Sequence, residues 1–491
     1  MARARRLGPV LAATALVGAL ACSDPPTSGG GDAVAVGDGE GGVELPDCPV
    51  DALDDAEGRT EVSLWYGGIG GPVKDTLEAM VAGFNASQDQ VTVTASDQGS
   101  SYAEVYRKFE SAASADTSQL PDVVYLENTQ LQALADSGLV LPAQACMDAG
   151  GYDITEIEPA VRSAYSVGDV LYPGYMNVTS QVLYYNKAHW LKAGLDPEAP
   201  PETLEQVYEQ AKALKAAGVA DKPLSFKISP TVFENWLSGE GVDVVNQNNG
   251  QDGLATQATF DTPEARDALA LLKQMENEGL VNVFASVEGG IDHFLALVTQ
   301  ESSMLIETST ASTVIAAALA GNLTPQDVGS DFDASVIDRT SLVPGTGSFP
   351  GLSGPGQVHP GGGAFFLVSS APPPEIAGGW AFLEYMLQPA NAKAWHLQGG
   401  YLPIVKSVSD EPDVQAYWSD TVPGVLVKTA VDQLDDADPD EPGPLIGPYP
   451  DFTDEVENAV EGVLLSDTDI PTALGDAQAK VTESLDRYAG D

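Results

Sequence analysis

Val62-Ser63-Leu64-Trp65-Tyr66-Gly67-Gly68 reads as a β-strand that stops at two glycines. After it, Val73, Leu77, Met80, Val81 and Phe84 recur at i, i+4, i+7, i+8 and i+11, one apolar stripe of a helix. Val91-Thr92-Val93-Thr94 is a second strand. A helical stretch with Tyr102, Val105, Tyr106 and Phe109 separates it from a third, Asp122-Val123-Val124-Tyr125-Leu126. Strands alternating with helices predict βαβ units, an α/β class and a mostly parallel sheet. Ligands of such sheets sit beyond the carboxyl ends of the strands. Tyr66 with its glycines, and Glu127-Asn128, occupy those ends.

Further along, Val182-Leu183-Tyr184-Tyr185 reads as a strand, and Pro200-Pro201-Glu202-Thr203 opens a helix running through Ala211 and Leu214. A helix from Pro263 to Glu278 carries Ala268, Leu271, Leu272 and Met275 on one face, so a second α/β region follows the first. The Gly- and Pro-dense stretch from Gly345 to Gly363 is expected to be loop.

The chain has 491 residues, enough for two or three domains, and a net charge of −50 from 22 basic and 72 acidic side chains. With 43% hydrophobic residues it is globular in composition. Such an acidic surface repels nucleic-acid phosphates and anionic lipid headgroups, which argues against both as partners.

At the N-terminus, Arg3, Arg5 and Arg6 precede an apolar run from Leu7 to Ala21 that is too short to span a bilayer. This pattern predicts a secretory signal peptide over residues 1–21. Cys22 directly after it resembles the lipidated cysteine of bacterial lipoproteins, although Ala19 stands where leucine is usual; cleavage nearby without lipidation is the alternative. Gly, Ser, Pro and Asp dominate the following stretch, so residues 22–59 are expected to hold the lipid anchor and a flexible tether. Cys48 and Cys146 are then left as a pair in an oxidising compartment and predict a disulfide, with two separate buried thiols as the alternative.

Motifs for catalysis are missing. The four histidines, His189, His293, His359 and His396, form no close pair, so no metal site is expected. No phosphate-binding loop motif occurs. Pro355 spoils the one approach to a nucleophile elbow, Gly351-Leu352-Ser353-Gly354-Pro355. The acidic run from Asp432 to Glu441 lacks the glycine of a calcium loop and reads as a solvated loop. No catalytic residue, metal or cofactor is therefore predicted; a glycan hydrolase built on two carboxylates remains as a remote alternative.

The sequence does resemble a family: the extracytoplasmic solute-binding proteins of bacterial ABC importers, carbohydrate type. Val182-Leu183-Tyr184-Tyr185-Asn186-Lys187, Ala193-Gly194-Leu195-Asp196-Pro197 and Pro200-Pro201-Glu202-Thr203 carry the resemblance. Gly361-Gly362-Gly363-Ala364 and the run from Trp395 to Ile404 are similar to the sn-glycerol-3-phosphate-binding subgroup. The resemblance implies a two-lobed type II periplasmic binding protein fold with a hinge and an interlobe cleft. It places lobe 1 in residues 60–178 with 345–395 and lobe 2 in 179–344 with 396–491. The crossings are expected near Asn177–Gln181, Val343–Gly347 and Trp395–Tyr401. A monomer that hands a small solute to permease subunits, and touches the membrane through its lipid alone, is the implied assembly.

By the same resemblance, Tyr102, Glu127, Ser309, Gly363 and Tyr401 are ligand residues. Thr179 in the first crossing and Tyr449 in the Gly447-Pro448-Tyr449-Pro450 turn join them. Trp65, Tyr66 and Trp236 are candidates to stack on a sugar face. One position departs from the subgroup: where glycerol-phosphate binders carry an arginine, this chain has Thr453. A neutral hydroxyl cannot replace the charge-assisted fork of arginine on phosphate. The expected solute is therefore a sugar or polyol, with sn-glycerol 3-phosphate or a glycerophosphodiester as the alternative.

Overall fold

The computed structural model describes residues 44–286, 290–323 and 333–490. The predicted signal peptide, Cys22 and most of the tether lie outside the described residues. In chain order the strands are β1 (Thr60–Tyr66), β2 (Val91–Asp97), β3 (Val123–Glu127), β4 (Val140–Leu141), β5 (Ser166–Val167), β6 (Val170–Leu171) and β7 (Tyr175–Met176). After them come β8 (Gln181–Asn186), β9 (Leu224–Lys227), β10 (Val281–Phe284), β11 (Met304–Thr308), β12 (Pro344–Ser348) and β13 (Gly363–Val368).

Two larger sheets form, ordered β2-β1-β3-β13-β4 (with β7 on β13) and β10-β9-β11-β8-β12. In each, three strands are parallel and the next is antiparallel, β13 on β3 and β8 on β11. The sheets are thus mixed rather than mostly parallel. The cause is connectivity: β8 and β13 are entered from the other lobe, so no crossover helix forces them parallel.

The first crossing runs from β7 in the first sheet to β8 in the second; within it Thr179 bridges Gly361 and Val178 bridges Leu402. The second falls at Pro360–Gly362 and not at Val343–Gly347, because 344–348 is a strand of the second sheet, antiparallel to β8. Its glycines make that strand possible. A Cβ at Gly345 would lie 2.8 Å from the Tyr185 ring, and one at Gly347 2.7 Å from Pro200.

The third crossing is also displaced from Trp395–Tyr401. The helix Pro389–Gly399 packs on the helix Gly71–Ser87 of the first lobe, and Val405 still bridges Ile157. The chain changes lobe between the helix Pro412–Asp420 and the helix Val422–Asp435, which packs on β8, β12 and the helix Ala311–Ala320. Lobe 1 thereby extends to about residue 420.

Cys48 is bonded to Cys146, with Cα atoms 4.9 Å apart. Leu45, Cys48, Val50 and Leu53 pack against the first core. Residues 45–59 therefore belong to the folded body, and the tether cannot run to residue 59 as the composition suggested. Apolar side chains outweigh the glycines from Leu45 onward. Among the described residues no helix is long and apolar enough to cross a membrane.

Candidate functional site: the cleft between the lobes

Strand ends from both lobes meet at one cleft. Glu127 closes β3, Lys227 closes β9 and Thr308 closes β11. Just after β9, the helix Pro230–Ser238 presents Thr231 and Glu234, one turn apart. The helix Tyr449–Ser466 opens with Tyr449 and Thr453, four residues apart and on one face. The crossing segments add Thr179, Ser180, Gln181, Gly361 and Gly362. A cavity of about 130 Å³ is lined by Glu127, Thr179, Gln181, Glu234, Thr308, Gly362 and Tyr449, among others. An adjoining cavity of about 340 Å³ shares Glu127, Thr231 and Tyr449 and adds Lys227 and Thr453.

Backbone geometry builds part of the wall. Gly362 has φ +133°, and a Cβ there would lie 2.2 Å from the Asn177 carbonyl, so the residue must be glycine. Its N–H donates to Asn128 Oδ1 at 2.9 Å, and its carbonyl accepts from the Asn128 N–H at 3.0 Å. The second crossing is thereby pinned to the end of β3.

The charges facing the cleft are mainly carboxylates. Burial pushes the Glu234 carboxyl up to about 8; a Tyr449 hydroxyl donating to it opposes that, and the charge of Glu127 adds to it. Glu127 is likewise raised by burial, and opposed by Thr129, whose hydroxyl donates to it at 3.3 Å, and by Lys227. Lys227 also bears on Glu307 and Glu457. Burial pushes His359, which lines the smaller cavity, down to about 4, so it is uncharged at neutral pH.

Of the candidate residues, the structure brings Glu127, Thr179, Tyr449 and Thr453 to these cavities. The others lie off the cavity walls. Trp236 is buried in the second core, its Nε1 donating to the Pro350 carbonyl at 2.9 Å and its ring stacked on Phe226 at 5.9 Å. Tyr66 is buried on β1, and Trp65 packs against the first core. Ser309 is fully buried, with its carbonyl accepting from the Tyr184 hydroxyl; the preceding Thr308 faces the cavity instead.

Gly363 is buried because Tyr125 fills the space a side chain would take: a Cβ would lie 2.2 Å from that ring. Gly361 and Gly362 line the cavity in its place. Tyr102 and Tyr401 form a cluster with Tyr125 and Asn177. The Tyr102 and Tyr125 hydroxyls are 3.2 Å apart, Asn177 donates to Tyr125 at 2.6 Å, and Tyr401 stacks on Trp395. That cluster is near enough to Glu127 to feel its charge, yet it is not cavity wall.

Glu234, Gln181, Lys227 and Thr308 were not anticipated. Lys227 and Thr308 are the last residues of β9 and β11, the positions where the strand-end rule puts ligand groups. Glu234 precedes Trp236 by two residues, about 200° around a helix, so the aromatic faces the core when the acid faces the cleft.

Residues 79–421 match the bacterial extracellular solute-binding protein family. The sn-glycerol-3-phosphate-binding periplasmic protein UgpB of Escherichia coli K12 is 24% identical over 377 residues, 74% of this chain and 79% of that protein. UgpB of Mycobacterium tuberculosis, solved with glycerophosphocholine, superposes with a TM-score of 0.70 at 18% identity, covering 88% of this chain and all of that one. The cyclic alpha-maltosyl-1,6-maltose binding protein of Arthrobacter globiformis gives 0.67 at 21% identity, with 88% of this chain and 100% of that chain covered. The superpositions cover nearly the whole of both solved chains, so the two-lobed fold is the one they share, and the chain belongs to the bacterial extracellular solute-binding protein family.

Proposed function

We propose that this protein is an exported, monomeric receptor that holds a sugar or polyol in the interlobe cleft and delivers it to the permease of an ABC importer. The observation that carries the reading is the cleft's chemistry. Glu127, Glu234, Gln181, Thr179 and Tyr449 offer oxygens suited to hydroxyl groups. The sole lysine or arginine lining either cavity, among the described residues, is Lys227, and three carboxylates claim its charge.

A dianionic phosphate buried there would lack a dedicated cation, which is costly. Glycerol 3-phosphate, or a diester of it, is the second reading. The similarity to the UgpB proteins supports it, as does the presence of Lys227 beside Thr453 in the larger cavity. Titration calorimetry of the full chain with neutral polyols and glycerol 3-phosphate separates the two. The solute should be recovered unaltered; release of a cleaved product would instead indicate a hydrolase using Glu127 and Glu234.

Lipidation of Cys22 and anchoring at the outer face of the cytoplasmic membrane belong to the same reading, supported by the basic-apolar-cysteine start of the chain. Cys22→Ser should move the protein from membrane to soluble fractions. Unchanged fractionation would rule out the anchor.

A further inference from the structure

The smaller cavity is lined by acidic side chains. Its titratable side chains are Glu127 from the first lobe, Glu234 and Tyr449 from the second, and His359 from the returning segment; no lysine or arginine lines it among the described residues. Glu234 is only 4% exposed and receives one hydrogen bond, from the Tyr449 hydroxyl. A second feature points the same way. Gln181 is 7% exposed, lines the same cavity, and its Oε1 has no hydrogen-bond partner. A buried acceptor without a donor is costly unless a ligand supplies one. Two carboxyl groups line a space that no protein cation fills among the described residues, and an orphan amide oxygen is buried in its wall.

We propose that the cleft takes a hydroxylated solute bearing a positively charged nitrogen, an amino sugar or amino polyol, with the nitrogen held between Glu127 and Glu234 and near Gln181 Oε1. The inference rests on the receptor reading above and narrows its solute class. An ammonium brings three donors and a positive charge to the two carboxyl groups, whereas a neutral hydroxyl brings one donor and no charge. Charge-assisted hydrogen bonds are roughly twice as strong as neutral ones, so the amine should bind about tenfold tighter than its hydroxyl analogue.

Burial holds a proton on Glu234 in the empty cleft, and the groups facing it are Glu127, Tyr449 and the uncharged His359. Arrival of an ammonium lowers the affinity for that proton. It leaves for the buffer while the ligand keeps its own charge.

Calorimetric titration of the full chain with two matched pairs tests this: D-glucose against D-glucosamine, and glycerol against serinol, each in two buffers of different ionisation heat. The expected result at neutral pH is about tenfold tighter binding of an amine than of its neutral partner, with a fraction of a proton released per ligand. Glu234→Gln should lose both the preference and the release. Equal or weaker binding of the amines by the wild-type chain overturns the inference while leaving the receptor reading intact. Binding of glycerol 3-phosphate with no response to any of the four overturns the polyol reading itself.

Discussion

Replacing Cys48 and Cys146 by serine should lower stability by about 3–5 kcal/mol and leave the protein folded but fragile. The bond joins positions 98 residues apart, so its loss frees a long loop in the unfolded chain. What it holds is specific. Val50 and Leu53 lie on a short helical turn packed against the helix Pro373–Leu387, and Cys146 is fully buried in the helix Ala143–Gly150. With the bond gone, the segment around Leu45–Leu53 depends on a few half-buried apolar contacts. Urea unfolding of the variant, and of the wild-type chain under reductant, should show matching drops in midpoint. Midpoints equal to that of the oxidised wild type would contradict the assignment.

A pH effect follows from Glu234. Its carboxyl titrates at about 8 in the folded chain against an ordinary 4.5, because burial and Glu127 disfavour its charge. Between those values the folded state holds a proton that the unfolded state has lost, so stability falls as pH rises toward 8. The loss between about pH 6.5 and 8.5 is on the order of 2 kcal/mol. Glu127 and Glu457, also raised by burial, act in the same direction. His359, lowered to about 4, acts oppositely but below its ordinary 6.5, outside this window. Glu234→Gln should flatten the thermal-midpoint curve over that range. Parallel curves for variant and wild type would mean that Glu234 is ionised in the folded chain.

The parallel half of the first sheet was legible because periodicity reports it: β1, β2 and β3 are continuous β-rich runs, and the helices between them keep one apolar face. The strand Pro344–Ser348 was not legible, since two of its five residues are glycine and its fit depends on Tyr185 and Pro200, distant in sequence. The antiparallel placement of β13 is equally non-local, set by a return from the other lobe. That the lobes repeat one strand order, with β9, β10 and β11 standing as β1, β2 and β3 do, leaves no trace in residue spacing.

For the site, the strand-end rule found Glu127, whereas residue type misled. Trp236 and Tyr66 were candidates as aromatics, yet their phase on helix and strand puts them in cores. Ser309 missed the cavity by one residue, its side chain turned into the core where Thr308 faces the cleft, and Gly363 missed it because the Tyr125 ring covers it.

The central claim is that this cleft recognises hydroxyls in a carboxylate-rich setting rather than phosphate. Its most direct test is calorimetric competition on the full chain between a sugar or polyol, neutral or amine-bearing, and glycerol 3-phosphate. The account predicts micromolar or tighter binding of the polyhydroxy solute and at least about tenfold weaker binding of glycerol 3-phosphate, the cost of one missing charge-assisted hydrogen bond. Tight glycerol 3-phosphate binding that no sugar or polyol displaces would contradict it, and would make Lys227 the substitute for the absent arginine.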